Sequence, residues 1–422
     1  MPTRRQILRA GAALGALGAV GARPARAATV SGADRRFVFV TAYYGWDNTR
    51  VYAPEFSNPL VAMEPDATTA TVGGLTYVTH PDRPSVTAFM DAYADRVLIL
   101  NGVLVSSVSH TECLYRQFTG TAKVDAPDWP SILGNAASSR YVLPSVVVRG
   151  PSFPGPLSSA VCRVGSSGQT AALLNGELVN WGDQEVARFS TAASEAMDRY
   201  VSAATQTRLL QAANPREIDI FDAHVISNRT ATTLEGLVDQ VTWGTSGDRS
   251  LNAQIDVARD LLKLGMARCA SVFHDRISWD THANNDVTQS ENFEDLYASL
   301  LYLMEQLDTT LDQDGRPLSE TTTVVVQSDM GRGPTLNISL GKDHWPYAST
   351  MIVSGGLTTN RAVGGYDELY YGKRMDLGSG ELDENGADFT PGVVGATLLA
   401  LADVDPGEWV VNDEVMTGVL EG

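Results

Sequence analysis

Six runs of apolar, β-favouring residues punctuate the chain: 36–42, 96–101, 144–149, 270–273, 321–327 and 350–353. Several are continuous rather than alternating, as in Phe37-Val38-Phe39-Val40 and Val324-Val325-Val326. Continuous runs belong to strands covered on both faces, as in parallel sheets. Between them lie segments of helical period. Residues 85–94 follow a proline, 129–137 follow a capping Asp128, and 391–402 open on proline. In 290–311, Phe293, Leu296, Leu300, Leu303 and Leu307 form one apolar stripe. The stretches 186–211, 218–241 and 251–266 also read as helices, and 186–266 as a mainly helical insertion. Strands alternating with helices predict an α/β fold, a mostly parallel central sheet between helical layers.

In such a fold ligands gather beyond the carboxyl ends of the strands. Four polar clusters follow β runs: Gly45-Trp46-Asp47, Ser109-His110, Asp280-Thr281-His282 and Ser328-Asp329. All four are expected on one rim.

The N-terminus reads as an address. Arg4-Arg5, a mild Ala/Gly stretch from Ala10 to Ala22, and Ala25-Arg26-Ala27 make residues 1–27 a twin-arginine signal peptide. The expectation is export by the twin-arginine machinery to the periplasm or the outside, with 28–422 as a single domain. No later stretch is apolar enough to span a bilayer, so stable membrane insertion is not expected. Without the leader's five arginines, 26 basic residues face 50 acidic ones, a formal charge of −24. That surface repels nucleic acid, and an anionic substrate must be met by a local cation. Cys113, Cys162 and Cys269 are too widely spaced for a zinc knuckle and permit at most one disulfide; three small buried thiols are the simpler expectation.

Imidazole and carboxylate side chains are the ordinary ligands of zinc and manganese, and carboxylate-rich sets shift toward magnesium or calcium. Asp280 and His282, two apart, point the same way on extended backbone and can share one ion. His344, in Gly341-Lys342-Asp343-His344-Trp345, offers another ligand, with Asp343 a ligand or an orienting group. Asp329 opens Asp329-Met330-Gly331-Arg332-Gly333, which has two glycines for close backbone approach and an arginine shaped to clamp phosphate or sulfate. Asp47 is a ligand or the cap of a turn. Ser109 or Thr111 caps a helix, Ser109 and Glu112 forming a capping box, or supplies a nucleophilic hydroxyl, with His110 as ligand or proton donor. His80, His224 and His274 read as structural, His274 being the one best placed to matter.

These motifs, in this order, resemble the exported bacterial family labelled "domain of unknown function 1501", a distant branch of the alkaline phosphatase and sulfatase superfamily. The likeness runs from about Phe37 to Ala402. It implies an alkaline-phosphatase-like fold and a metal-dependent hydrolase of phosphate or sulfate esters holding one or two divalent ions. By position, Asp280, His282 and His344 match the first metal and Asp47 and Asp329 the second, with Ser109 or Thr111 near the nucleophile position. Arg332 or Lys342 is then expected to steady the anionic oxygens. Met330 stands where the superfamily has histidine, and Asp-Met-Gly-Arg where the family more often has Glu-Phe-Gly-Arg; His110 or Asp343 are the substitutes at hand. The competing expectation is a non-catalytic, metal-stabilised protein that binds a cell-envelope polymer. A closed ligand shell favours that reading, and an open one catalysis.

Overall fold

The computed structural model describes residues 30–165, 190–236, 238–244, 248–275, 278–410 and 414–421. The leader and the first residues of the expected helix at 186–211 lie outside them.

Eight strands form one sheet: β1 (Arg36–Ala42), β2 (Val97–Leu104), β3 (Ser145–Val147), β4 (Val161–Arg163), β5 (Cys269–His274), β6 (Thr322–Ser328), β7 (Tyr347–Val353) and β8 (Arg361–Gly364). Their order is β8-β2-β7-β6-β1-β5-β3-β4. Only β7 runs against the rest. The sheet is therefore mostly parallel, as the apolar runs require. Every residue of β1, β5 and β6 is buried. The edge strands β4 and β8 escape a hydropathy reading because they are short and only partly covered.

Among the described residues the α-helices longer than one turn are α1 (Pro84–Tyr93), α2 (His110–Thr119), α3 (Trp129–Asn135), α4 (Thr191–Gln211), α5 (Pro215–Glu235), α6 (Leu251–Lys263), α7 (Asn285–Thr309) and α8 (Pro391–Leu401). Alternate residues of β1 divide the core. Val38 and Val40 pack with Phe89 of α1, Ile255 of α6 and the Phe293–Leu307 stripe of α7. Phe37 and Phe39 pack with Ile132 of α3 and Leu398 of α8 on the opposite face. Asp128 caps α3 by accepting from the Ser131 N–H at 2.9 Å, and Thr390 caps α8 from Val393. The stretch expected as one helix from 218 starts earlier, at Pro215. Asn214 caps it by accepting from Glu217 N–H, an Asn-Pro start signal that periodicity alone passes over. Likewise α7 begins at Asn285, not Ser290, after Asn284 turns the chain at φ 51°. Among the described residues no helix is long and apolar enough to cross a membrane.

This topology makes the site. Ala42 lies level with Ser328 on one side and His274 on the other, so the segments leaving β1, β5 and β6 start side by side. β2 runs the same way, and the antiparallel β7 brings its amino end, at Tyr347, to the same rim. His344 directly precedes that end. Five distant polar segments thus meet at one edge.

Candidate metal centre

Trp279, fully buried against His274, Trp46 and Phe293, anchors the start of the Asp280 segment. Its indole N–H donates to His274 Nδ1 at 3.0 Å, leaving His274 Nε2–H to donate to Asp295 at 3.0 Å. His274 is thus a positioning residue. The Asp280–His282 backbone is a tight turn, with His282 N–H bonded to Asp280 C=O, not the extended stretch expected. The side chains meet all the same: His282 Nε2 is 3.1 Å from Asp280 Oδ1. His344 Nε2 lies 3.2 Å and His110 Nε2 3.5 Å from that same oxygen. His282 and His344 bring their Nε2 atoms within 3.0 Å.

Each imidazole turns its other nitrogen to an oxygen. His110 Nδ1 is 2.7 Å from Asp329 Oδ2, His282 Nδ1 3.2 Å from Asp343 Oδ1, and His344 Nδ1 2.8 Å from the Val108 carbonyl. Carboxylates and carbonyls accept, so Nδ1 carries the proton in each neutral ring. Three Nε2 lone pairs therefore converge on one carboxylate oxygen. That is repulsive unless a cation stands among them, and His110 Nε2 is buried with no hydrogen-bond partner. Ligands about 2.0–2.1 Å from one tetrahedral ion stand roughly 3.3 Å apart, a spacing matched by the 3.0–3.5 Å separations here. The ligand atoms of His110, Asp280 and His344 all lie within 4.8 Å of one another, and His282 adjoins them on the exposed side. The residues fit a divalent ion.

Arg332 ties the centre together. Buried, it donates to the carbonyls of Gly45 (2.9 Å), Lys342 (3.2 Å), Trp279 (3.1 Å) and Tyr44, and to Asp280 Oδ1 (2.7 Å). Burial pushes the Asp280 carboxyl up, but Arg332 and the imidazoles outweigh it and hold it at about 2, so Asp280 is ionised. Gly341 permits the closest approach: a Cβ there would sit 2.0 Å from the His282 carbonyl carbon. Gly331 likewise lies under the Tyr347 carbonyl, where a Cβ would be 2.1 Å away. Gly333 has ordinary room, so only one of the two glycines of that motif is needed for close approach.

Several expectations need correction. Asp47 is no ligand here: fully buried, it pairs with Lys342 Nζ at 2.9 Å and Arg50 Nε at 3.1 Å, and accepts from Asn285 and Thr49. Burial opposes its ionisation, yet Lys342 and Arg50 hold it well below the usual carboxylate range. Lys342, committed to Asp47 and fully buried, is not free to meet a substrate. Arg332 is not free either, because backbone carbonyls and Asp280 occupy its donors. Asp329 orients rather than ligates: Oδ1 accepts from the Tyr44 and Gly45 N–H groups and the Ser328 hydroxyl, and Oδ2 faces His110. Asp343 takes its orienting alternative, on His282. No second metal position forms from Asp47 and Asp329. Met330 packs with Val105, Cys113 and Ala348 in an apolar pocket, while His110 enters the ligand cluster. Ser109 stands at the N-cap of α2 with no side-chain capping bond; Glu112 pairs with Ser107 and Arg116, so the capping box does not form. The Ser109 and Thr111 side chains are exposed. Sequence reasoning missed Tyr43 and Tyr44, whose rings meet His110 edge-on at 5.9 and 5.0 Å. Two aromatics immediately after a buried strand were the available signal. The three cysteines are free.

The fold and the cluster define an α/β protein with a metal-type imidazole and carboxylate centre at the carboxyl edge of its sheet. A family model described as a protein of unknown function (DUF1501) matches residues 82–377, and the chain belongs to that family. Among solved structures, it is similar to a protein in the alkaline phosphatase superfamily from Vibrio parahaemolyticus, at 9% identity and TM-score 0.38, covering 90% of this chain and 69% of that one. It is also similar to the lipoteichoic acid synthase LtaP from Listeria monocytogenes (9%, TM-score 0.37, 94% and 79%). A sulfatase from a Pseudoalteromonas species gives 10%, TM-score 0.34, 92% and 72%. These likenesses carry nothing about chemistry. No curated protein matches the chain.

Proposed function

We propose that this protein is an exported, metal-dependent hydrolase of phosphate or sulfate esters, with one divalent ion held by His110, Asp280, His282 and His344. The single observation that carries the reading is the convergence of three Nε2 lone pairs on Asp280 Oδ1, with His110 Nε2 buried and unpartnered. When bound, such an ion supplies positive charge that polarises an ester oxygen and lowers the pKa of a hydroxyl or water. Ser109 and Thr111, exposed on either side of His110, are the side chains available to attack phosphorus or sulfur. The positive end of α2 attracts the anionic oxygens. Asp329, Asp343 and the Val108 carbonyl keep the three imidazoles in one tautomer. Arg332 keeps Asp280 ionised and fixed.

The alternative is an ion that only stabilises a binding protein. Partial exposure of Asp280 and His282, at 34% and 48% of their side chains, favours an open position and hence catalysis. Export rests on the order of basic, apolar and small residues in 1–27. The test combines metal analysis with a panel of chromogenic phosphomonoesters, phosphodiesters and sulfate esters. One tightly held divalent ion, and turnover abolished by chelation and restored by that ion, is expected. A tightly held ion with no turnover on any ester favours the binding protein instead, and a metal content unchanged in the Asp280→Ala/His282→Ala double variant ends the metal reading altogether.

A further inference from the structure

The border of the centre carries no free cationic side chain from Arg332 or Lys342. Exposed residues with apolar side chains border it instead, Tyr44 by its ring and Val108 and Leu340 by their backbone. Tyr44 is 38% exposed, Val108 50% and Leu340 61%. The Tyr44 ring stands edge-on to His110 at 5.0 Å. Val108 lends its carbonyl to His344. Leu340 bridges to Ala283, the neighbour of His282.

Two of these residues hold left-handed backbone, Tyr44 at φ 87° and Leu340 at φ 57°. Bulky side chains avoid that region, and glycine would occupy it without strain. Tyr44 is held there from both ends: its N–H donates to Asp329 Oδ1 at 3.0 Å and its carbonyl accepts from Arg332. Leu340 is pinned by its N–H on Asn337 and its carbonyl on the Asn285 N–H. The groups that orient the metal ligands therefore also hold an aromatic ring beside them, in water, at a cost in backbone strain. Apolar walls with a few convergent polar groups are the usual make-up of a small-molecule site.

We infer that the site takes an anionic ester bearing a hydrophobic substituent, an alkyl or aryl phosphate or sulfate, and that Tyr44, with Val108 and Leu340, contacts that substituent. This rests on the hydrolase reading above, and its test separates the two. Binding to the metal-loaded protein is measured calorimetrically with inorganic phosphate and with methyl-, phenyl- and hexylphosphonate, whose carbon–phosphorus bonds resist hydrolysis. Phenyl- and hexylphosphonate are expected to bind about tenfold tighter than methylphosphonate, the scale of one buried hydrocarbon group. Tyr44→Ser should bring that ratio toward unity; because the ratio is taken within one variant, any common change in phosphonate headgroup affinity cancels. Leu340→Asn, which suits a left-handed position, gives the second reading should Tyr44→Ser lower the melting temperature. Equal binding of the three phosphonates, or an undiminished ratio in both variants, overturns this inference and leaves the hydrolase reading standing. A tenfold wild-type ratio that falls in the variants, without turnover of phenyl phosphate or phenyl sulfate, overturns the hydrolase reading and leaves the hydrophobic contact standing.

Discussion

Replacing Asp329 by asparagine tests the tautomer argument at a single atom. Asp329 Oδ1 accepts from two backbone N–H groups, those of Tyr44 and Gly45, and from the Ser328 hydroxyl. Oδ2 accepts from His110 Nδ1 at 2.7 Å. An asparagine must put its amide nitrogen on one side or the other. Facing the backbone, that nitrogen would leave two buried N–H donors unsatisfied, at about 1–3 kcal/mol each. The amide oxygen therefore stays with the backbone, and the NH₂ group faces His110. A donor there calls for a lone pair on Nδ1, which moves the proton to Nε2 and removes the ligand. Loss of such an orienting partner weakens metal affinity about 10–100-fold, or about 1.4–2.8 kcal/mol. Competition against a chromophoric chelator measures the affinity, and long-range nitrogen–proton NMR of the imidazoles reports which nitrogen of His110 is protonated. Wild-type affinity in Asp329→Asn, with His110 still protonated at Nδ1, would refute the reasoning. Global unfolding would not mimic the expected result, since the tautomer is read directly in folded protein.

Three further outcomes follow from the geometry. Asp47→Asn leaves Lys342 buried without its carboxylate, while Arg50 keeps Asp286 and Glu64, and should cost about 3–5 kcal/mol near neutral pH. Because the folded-state pKa of Asp47 lies below its unfolded value, its contribution is complete above about pH 4 and fades as pH falls through the folded value; denaturant midpoints of wild type and variant should converge below pH 4, and a constant gap would contradict the pairing. Gly341→Ala forces a Cβ to 2.0 Å from the His282 carbonyl carbon and should cost about 1–3 kcal/mol and weaken metal retention; an unchanged melting temperature and metal content would show that the approach is not tight. Burial pushes the Cys113 and Cys269 thiols up to about 12, so neither should react with an aromatic disulfide reagent at pH 8 until the protein unfolds, as followed by absorbance of the released thiolate.

The strands of this sheet were legible because both faces are covered, which turns β1, β5 and β6 into uninterrupted apolar runs. Their common direction then places Asp280, Asp329 and His110 at one edge from sequence alone. Asp280 and His282 were legible as a pair because the relation is local, even though the backbone between them is a turn. What failed was every assignment that depends on which cation arrives from elsewhere. Asp47 at the end of β1 reads as a ligand or as the cap of a turn; the cap forms, on the Thr49 N–H, but the salt bridge is not visible in sequence. Only the fold brings Lys342, close to 300 positions away, to 2.9 Å from it. Arg332 looked free for a substrate because its five acceptors are mostly backbone carbonyls, which no sequence displays. His110 is the converse case. Its local context is the start of a helix, and its orientation is set by Asp329 across the sheet.

The two charged clusters on this rim explain each other. One joins Asp47, Glu64 and Asp286 to Arg50, Arg83 and Lys342, three carboxylates against three cations. It is buried and balanced, so nothing in it calls for a metal, and it clamps the end of β1, the start of α7 and the segment carrying Lys342. The other gathers Asp280, Asp329 and Asp343 around three imidazoles, against the single guanidinium of Arg332. Formally three carboxylates face one guanidinium there, with Nε2 atoms pointing inward. Asp343 is exposed and solvated, but around the buried Asp329 and the part-buried Asp280 such an imbalance is costly, and a divalent cation has the charge and the ligand preference to reduce it. The ammonium of Lys342 thus neutralises Asp47, and the same segment then delivers Asp343 and His344 to the imidazole cluster.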